Sequence, residues 1–236
     1  MKIISIGNSF SQDAHRYLHD IDEKVKSVNL HIGGCDLVTH WDNVENDNKY
    51  YDYNLNGKSI GPASVKEGLL GDDWDYVTLQ QVSHDSGRPD TYYPYIELLS
   101  AYVKEHCPDA TQIIHQTWAY DPDVIHDGFA KYGRDQQVMY DALKSAYKSA
   151  AAKLNVGIIP CGEVIQTLRE NGFPFSLCRD GFHLSLDYGR YAAAATFYEM
   201  LAGNILETDF MPDDTDPNLI NLIKNTVHEI CGEYKK

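Results

Sequence analysis

Two short segments near opposite ends of the chain combine residue types that could perform hydrolytic chemistry. The first, Ile6–Ser11, reads IGNSFS and follows an apolar run, and the second, Arg179–Ser185, reads RDGFHLS. An Asp three residues before a His suits a general base and the carboxylate that orients it, while the other ring nitrogen faces a serine hydroxyl. Taken alone, either segment is also explained by serine or aspartate capping a helix. Their occurrence together favours nucleophilic catalysis.

The elements that must position these segments alternate between strands and helices. Apolar runs predict strands at Lys2–Ile6, Val28–Ile32, Tyr76–Leu79, Gln112–His115 and Val156–Ile159. Helical periodicity predicts helices at Ala14–Lys26, Ala63–Leu70, Tyr95–His106, Gln136–Leu154 and Gly189–Leu201. Such alternation is typical of a parallel sheet covered on both faces. We therefore predict a flavodoxin-like, three-layer α/β/α sandwich with a five-stranded parallel sheet, whose ligands bind beyond the carboxyl ends of the strands.

Two regions interrupt this alternation without dividing the chain. The polar segment 42–61 is an excursion expected to contain a small hairpin at Asn56-Gly57. The segment Gly172–Phe182 has the composition of a structured loop, and residues 218–233 form a last amphipathic helix. Neither interruption has the composition of a flexible linker, so residues 1–236 are expected to form a single domain.

The segments Ile6–Ser11 and Arg179–Ser185 resemble the motifs of the SGNH (GDSL-like) hydrolase superfamily of esterases and lipases. In that family the nucleophilic serine lies in a G-D-S or G-N-S turn after the first strand, and a D-x-x-H near the C-terminus supplies the other two residues. The resemblance implies that Ser9 is the nucleophile, His183 the general base and Asp180 its orienting carboxylate. It also implies the family fold and an acyl-enzyme mechanism that requires no metal or organic cofactor.

The same resemblance implies two further donors to the oxyanion besides the backbone N–H of Ser9. One is a glycine after the second strand, for which we prefer Gly34 in the sequence HIGGCD. The other is an asparagine after the third strand, where this chain instead reads QQVSH. Gln80 could substitute through its amide, with Gln81 and Ser83 as rivals, and some SGNH-like carbohydrate esterases similarly carry Gln in this loop.

Aromatic residues after the fourth predicted strand suggest the substrate class. Trp118 and Tyr120 could stack on a sugar ring, and with Gln81 they are the candidate substrate contacts, although tyrosine-rich segments more often serve packing. We predict an acetylesterase that acts on a sugar or oligosaccharide ester. One alternative is a thioesterase or lysophospholipase of the same fold, and another is a carbohydrate-binding domain without catalytic activity.

Composition narrows the partners and the compartment. The chain has 236 residues, a net charge of −15 and a pI near 4.9, which disfavours nucleic acids and anionic membranes as partners. Five scattered cysteines without a C-x-x-C pair indicate reduced thiols and no zinc site, and favour the cytoplasm unless a secretory signal has been removed. His15 and His19 lie one helical turn apart but lack a third metal ligand, and Cys35 and Cys178, which flank the proposed site in sequence, lack a nucleophile motif.

Overall fold

A seven-stranded mixed sheet forms the centre of the protein in a computed structural model that describes residues 1–235. Its strands are β1 (Lys2–Gly7), β2 (Lys26–His31), β3 (Tyr51–Leu55), β4 (Lys58–Ala63), β5 (Tyr76–Leu79), β6 (Thr111–His115) and β7 (Gly157–Ile159). Their spatial order is β4-β3-β2-β1-β5-β6-β7. The five predicted strands are all present, and the neighbours among them pair in parallel.

The expected sheet of five parallel strands is wrong in one respect, because the polar excursion adds two strands to it. β3 and β4 form a hairpin that pairs antiparallel to β2. Its two-residue turn is Asn56-Gly57, where both residues have positive φ angles, 48° and 76°. Asn-Gly favours this geometry because both residues tolerate the left-handed region, and the turn's twist matches that of the strands.

Helices cover both faces of the sheet and account for about half of the remaining chain. They are α1 (Ser9–His15), α2 (Leu18–Ile21), α3 (Leu37–Glu45), α4 (Val65–Leu70), α5 (Tyr95–His106), α6 (Gln136–Leu154), α7 (Cys161–Glu170), α8 (Tyr188–Leu201) and α9 (Pro217–Tyr234). The predicted helix Ala14–Lys26 is wrong, since the chain forms α1 and the short α2 before β2 begins. Helices α3 and α7 were not expected from the periodicity.

The first strand and the alanine-rich helix α8 contribute many of the fully buried residues of the core. Ile3 and Ile4 of β1 are fully buried, as are the four consecutive alanines 192–195 of α8. A helix buried around its whole circumference needs small side chains, because α8 packs against α1, α7 and α9. The five cysteines are buried and unpaired. Among residues 1–235, no helix is both long and apolar enough to cross a membrane.

Candidate active site

Ser9 lies at the junction of β1 and α1, at the carboxyl edge of the sheet. Asn8 caps α1, and its side-chain oxygen accepts from the backbone N–H of Phe10 at 3.0 Å. The position before it must be glycine, because a Cβ on Gly7 would lie 2.4 Å from Ser11 Oγ and 2.9 Å from Asn29 Oδ1. The turn therefore holds Ser9 as the first residue of a helix.

The structure brings the three predicted catalytic side chains into one hydrogen-bonded relay. His183 Nε2 is 2.9 Å from Ser9 Oγ, and His183 Nδ1 is 2.7 Å from Asp180 Oδ2. In the orientation that fits this relay, His183 donates its Nδ1 proton to the carboxylate and leaves Nε2 to accept from the serine. The geometry can therefore move a proton from Ser9 to His183.

Asp180 is held by hydrogen bonds from its own loop as well as from the histidine ring. Its Oδ1 accepts from the backbone N–H groups of His183 at 2.7 Å and of Phe182 at 3.2 Å. Partial burial alone would raise the pKa of Asp180, but these hydrogen bonds and the one from the His183 ring outweigh it. The pKa of Asp180 consequently lies below its ordinary value, and the carboxylate is the stable form beside the imidazole.

Two backbone amides near the serine are free to bind an oxyanion. Gly34 has a left-handed φ of 65° and, like Ser9, lines the cavity above the relay. Within residues 1–235, neither the N–H of Ser9 nor that of Gly34 donates to a protein acceptor. The N–H of Ser9 also lies at the N-terminus of α1, where the partial positive charge of the helix favours a developing negative charge.

Gln80 does not lie where an oxyanion donor would be needed, which corrects the sequence-based expectation. It is 1% exposed and does not line the cavity. Its Nε2 donates to Asn8 Oδ1 at 2.7 Å, while its Oε1 accepts from Ser11 Oγ and lies 2.8 Å from His115 Nδ1. The amide is therefore engaged beneath the site, in supporting the turn that carries Ser9.

The three candidate substrate contacts are also buried away from the cavity. Gln81 accepts from the backbone N–H groups of Leu37 and Val82 and donates to Thr91. Trp118 is fully buried and donates its Nε1–H to the carbonyl of Phe182 at 2.7 Å, and its ring stacks on Phe10.

Tyr120, fully buried as well, lies 2.8 Å through its hydroxyl from Ser83 Oγ. Ser83, in contrast, does line the cavity. Neither aromatic ring can stack on a sugar in this structure, because the side chains of Trp118 and Tyr120 are fully buried.

A cavity of about 570 Å³ opens above Ser9. Besides the predicted Ser9, Gly34, Ser83 and His183, it is lined by residues that sequence analysis did not single out: Asn8, Phe10, Gln12, His31, Gly33, Val82, His84, His126, Arg179 and Phe182. Three of these are histidines: His31 is the last residue of β2, His84 lies after β5, and His126 lies in the loop after β6. Position at that edge is the one sequence feature that could have indicated them.

Comparison with known proteins places the chain in a family. The profile of DUF4886, described as a domain of unknown function, matches residues 2–230. The chain belongs to the DUF4886 family. A crystal structure of a DUF4886 family protein from Bacteroides uniformis is 34% identical, with a TM-score of 0.94, and the alignment covers 100% of this chain and 96% of that one. No curated protein matches the sequence.

More distant structures show with which enzymes DUF4886 shares its fold. A candidate SGNH hydrolase from Slackia heliotrinireducens is 22% identical with a TM-score of 0.62, covering 84% of this chain and 97% of its own. A catalytic mutant of an acetylxylan esterase from Geobacillus stearothermophilus is 14% identical with a TM-score of 0.55, covering 86% and 95%. The α/β fold of this DUF4886 chain is therefore that of SGNH-like hydrolases.

Three histidines of the DUF4886 cavity favour their neutral form. Burial lowers the pKa of His31, His84 and His126 below 6.5. His126 Nδ1 accepts from the backbone N–H of Gly128 at 3.0 Å, which leaves the proton on Nε2. Gly128 is required here, because a Cβ would lie 2.3 Å from the Cβ of His84. Among residues 1–235, no group of three or more His, Cys, Asp or Glu side chains is arranged to hold a metal ion.

Proposed function

We propose that this DUF4886 chain is a serine esterase that hydrolyses carboxylic esters through an acyl-enzyme. The observation that supports the proposal most directly is the relay from Ser9 Oγ through His183 to Asp180, with both hydrogen bonds between 2.7 and 2.9 Å. A serine that only capped a helix would have no reason to contact a histidine so far away in sequence. Shared fold with SGNH-like hydrolases is consistent with it.

The first half of the reaction forms the acyl-enzyme. Ser9 Oγ attacks the ester carbonyl carbon while His183 Nε2 takes the hydroxyl proton. The oxyanion binds the backbone N–H groups of Ser9 and Gly34, and each such donor lowers the barrier by about 3 kcal/mol. The intermediate collapses, its bond to the alcohol oxygen breaks, and the alcohol leaves with the proton from His183.

Water completes the cycle. It attacks the acyl carbon, His183 Nε2 takes one of its protons, and the carboxylic acid is released as Ser9 regains a proton. Asp180 stays ionised throughout and stabilises the imidazolium that forms twice. Ser83 is the third donor in this proposal in place of Gln80: when Tyr120 donates to Ser83 Oγ, the serine hydroxyl hydrogen is free to bond the oxyanion.

The cavity supports a short acyl group and a neutral, hydroxylated alcohol. Its apolar lining comes from Phe10, Val82 and Phe182, of which Phe10 and Val82 are each 2% exposed, whereas a long acyl chain needs a continuous apolar trough. Neutral imidazoles such as His84 and His126 bind hydroxyl groups through hydrogen bonds. An acetylated sugar or oligosaccharide fits both requirements, so we propose an acetylesterase.

Hydrolysis of p-nitrophenyl esters tests the mechanism and the acyl length. We expect the wild-type protein to hydrolyse the acetate faster than the butyrate or octanoate, and Ser9→Ala to lose this activity while its circular dichroism is unchanged. A fluorophosphonate probe should label the wild-type protein in a 1:1 ratio and leave Ser9→Ala unlabelled. The matched control is Ser11→Ala, in the same turn, which should still be labelled.

Three other outcomes would contradict the proposal in different ways. Octanoate as the preferred ester would favour the thioesterase or lysophospholipase alternative. No hydrolysis and no labelling of the wild-type protein would favour a carbohydrate-binding domain. Equal labelling of the wild-type protein and Ser9→Ala would mean that another residue is the nucleophile.

A further inference from the structure

A buried carboxylate one helical turn after Ser9 joins the two parts of the proposed relay. Asp13 lies in α1 and is 1% exposed. It accepts three kinds of donor: the backbone N–H of Leu184 at 2.9 Å, Arg179 Nη1 at 3.1 Å from both oxygens, and Arg190 Nε at 2.7 Å. A buried carboxylate is tolerated only when its charge and lone pairs are matched in this way.

The donors from Arg179 and Leu184 belong to the loop that presents the acid and the base. This loop folds back on itself, with the backbone N–H of Arg179 donating to the carbonyl of His183 at 2.9 Å and an antiparallel bridge between Cys178 and Leu184. Arg179 directly precedes Asp180, and Leu184 directly follows His183. Asp13 therefore accepts hydrogen bonds from both arms of the loop, at the residues adjacent to Asp180 and His183.

The other end of this connection is the helix that begins with the nucleophile. Asp13 and Ser9 are four residues apart in α1, about 6 Å along the axis at 1.5 Å per residue, and a helical turn is rigid on the scale of a hydrogen bond. Arg190 adds a third anchor from α8. We propose that Asp13 is a positioning residue that sets the distance between Ser9 Oγ and His183 Nε2, an inference that rests on the proposed esterase function.

The variant that tests this role is Asp13→Asn, which keeps the shape and removes the charge. We expect kcat for p-nitrophenyl acetate and the rate of fluorophosphonate labelling to fall about 10-fold to 100-fold, because displacing reacting groups by about 1 Å costs up to about 100-fold. KM should stay within experimental error of the wild-type value, since Asp13 does not line the cavity.

The chain provides a matched control in Glu199, a second buried carboxylate, 3% exposed. It too accepts from one backbone N–H, that of Ile205 at 2.6 Å, and from two basic side chains, Lys235 at 2.8 Å and His228 at 3.2 Å. It lies in α8 and has no contact with the relay. Glu199→Gln should lower Tm, as Asp13→Asn does, without lowering kcat.

A second, milder variant tests the same role if Asp13→Asn does not fold. Arg179→Lys keeps the positive charge but loses the guanidinium, whose Nη1 donates to both oxygens of Asp13 and to the carbonyl of Leu184, and should lower kcat several-fold. Unchanged kcat in the folded variants at Asp13 and Arg179, or an equal loss of kcat in Glu199→Gln, would overturn the positioning role alone. A wild-type protein that neither hydrolyses esters nor reacts with the probe would overturn the proposed function and this inference together.

Discussion

The substitution Gln80→Met distinguishes two roles for the side-chain amide that follows β5: donating to the oxyanion, or supporting the turn of Ser9 from beneath. Methionine has nearly the same length as glutamine but cannot replace its hydrogen bonds. In the structure the substitution removes the donor to Asn8 Oδ1 and the acceptor for Ser11 Oγ and His115 Nδ1. Asn8 keeps its bond from Phe10, so Ser11 and His115 are the groups left without a partner.

The expected loss of stability follows from the number of buried groups that lose their hydrogen-bond partner. A buried donor without a partner costs about 1–3 kcal/mol. Ser11 Oγ and His115 Nδ1 are 3.5 Å apart and can partly satisfy each other. We therefore expect the free energy of unfolding to fall by about 1–3 kcal/mol if they pair and by about 2–6 kcal/mol if they do not.

Urea denaturation followed by tryptophan fluorescence measures this loss, and p-nitrophenyl acetate hydrolysis by the folded variant measures catalysis. The buried-support role predicts a lower urea midpoint at an unchanged slope, with a smaller relative change in kcat. An oxyanion donor would behave in the opposite way, with kcat lower by about 100-fold to 1,000-fold at an unchanged midpoint. That second pattern would refute the assignment of Gln80 to the supporting layer.

Three further predictions follow from buried groups elsewhere. Burial lowers the pKa of His15 and His115 to about 3 and of His40 to about 4, so below pH 6.5 these histidines take up protons in the unfolded chain but not in the folded protein. Urea denaturation at a series of pH values should therefore show the free energy of unfolding falling by about 1.4 kcal/mol per pH unit for each histidine. A flat profile between pH 6.5 and 5 would contradict this. Trp118→Phe leaves the carbonyl of Phe182 without its hydrogen-bond donor and should lower the free energy of unfolding by about 1–3 kcal/mol without raising KM for acetylated sugars. If the Trp118 ring instead stacked on the substrate, the substitution would raise KM. Finally, all five cysteines are buried, so the thiol reagent DTNB should react with none of them until denaturant is added, and rapid reaction of one thiol would reveal an accessible cysteine.

Periodicity was enough to predict the parallel part of the sheet, and the resemblance of two short motifs to those of SGNH hydrolases selected the residues of the relay. A largely apolar strand and a turn reading GNS are local features, so they are visible in sequence. The hairpin turn Asn56-Gly57 was visible for the same reason. Its attachment to the sheet was not, since the strands around it are polar and one of them is largely exposed.

The roles of polar and aromatic side chains near the site could not be predicted in this way. Trp118 and Gln80 both follow strands at the carboxyl edge, where ligands bind in such folds, but residue type does not tell whether a side chain lies in the cavity or under it. Asp13 is likewise indistinguishable in sequence from an exposed helical aspartate. Its proposed positioning role depends on Arg179 and Arg190, which only the tertiary fold brings to it.

The large separation in sequence between the two parts of the relay also determines when the site can assemble during biosynthesis. Ser9 and His183 are 174 residues apart, and a ribosome releases a chain from its N-terminus onwards. A nascent chain therefore presents Ser9 and the unmatched carboxylate of Asp13 to water for most of translation. Only after the segment through Arg190 has emerged can that carboxylate be buried and the serine meet its base.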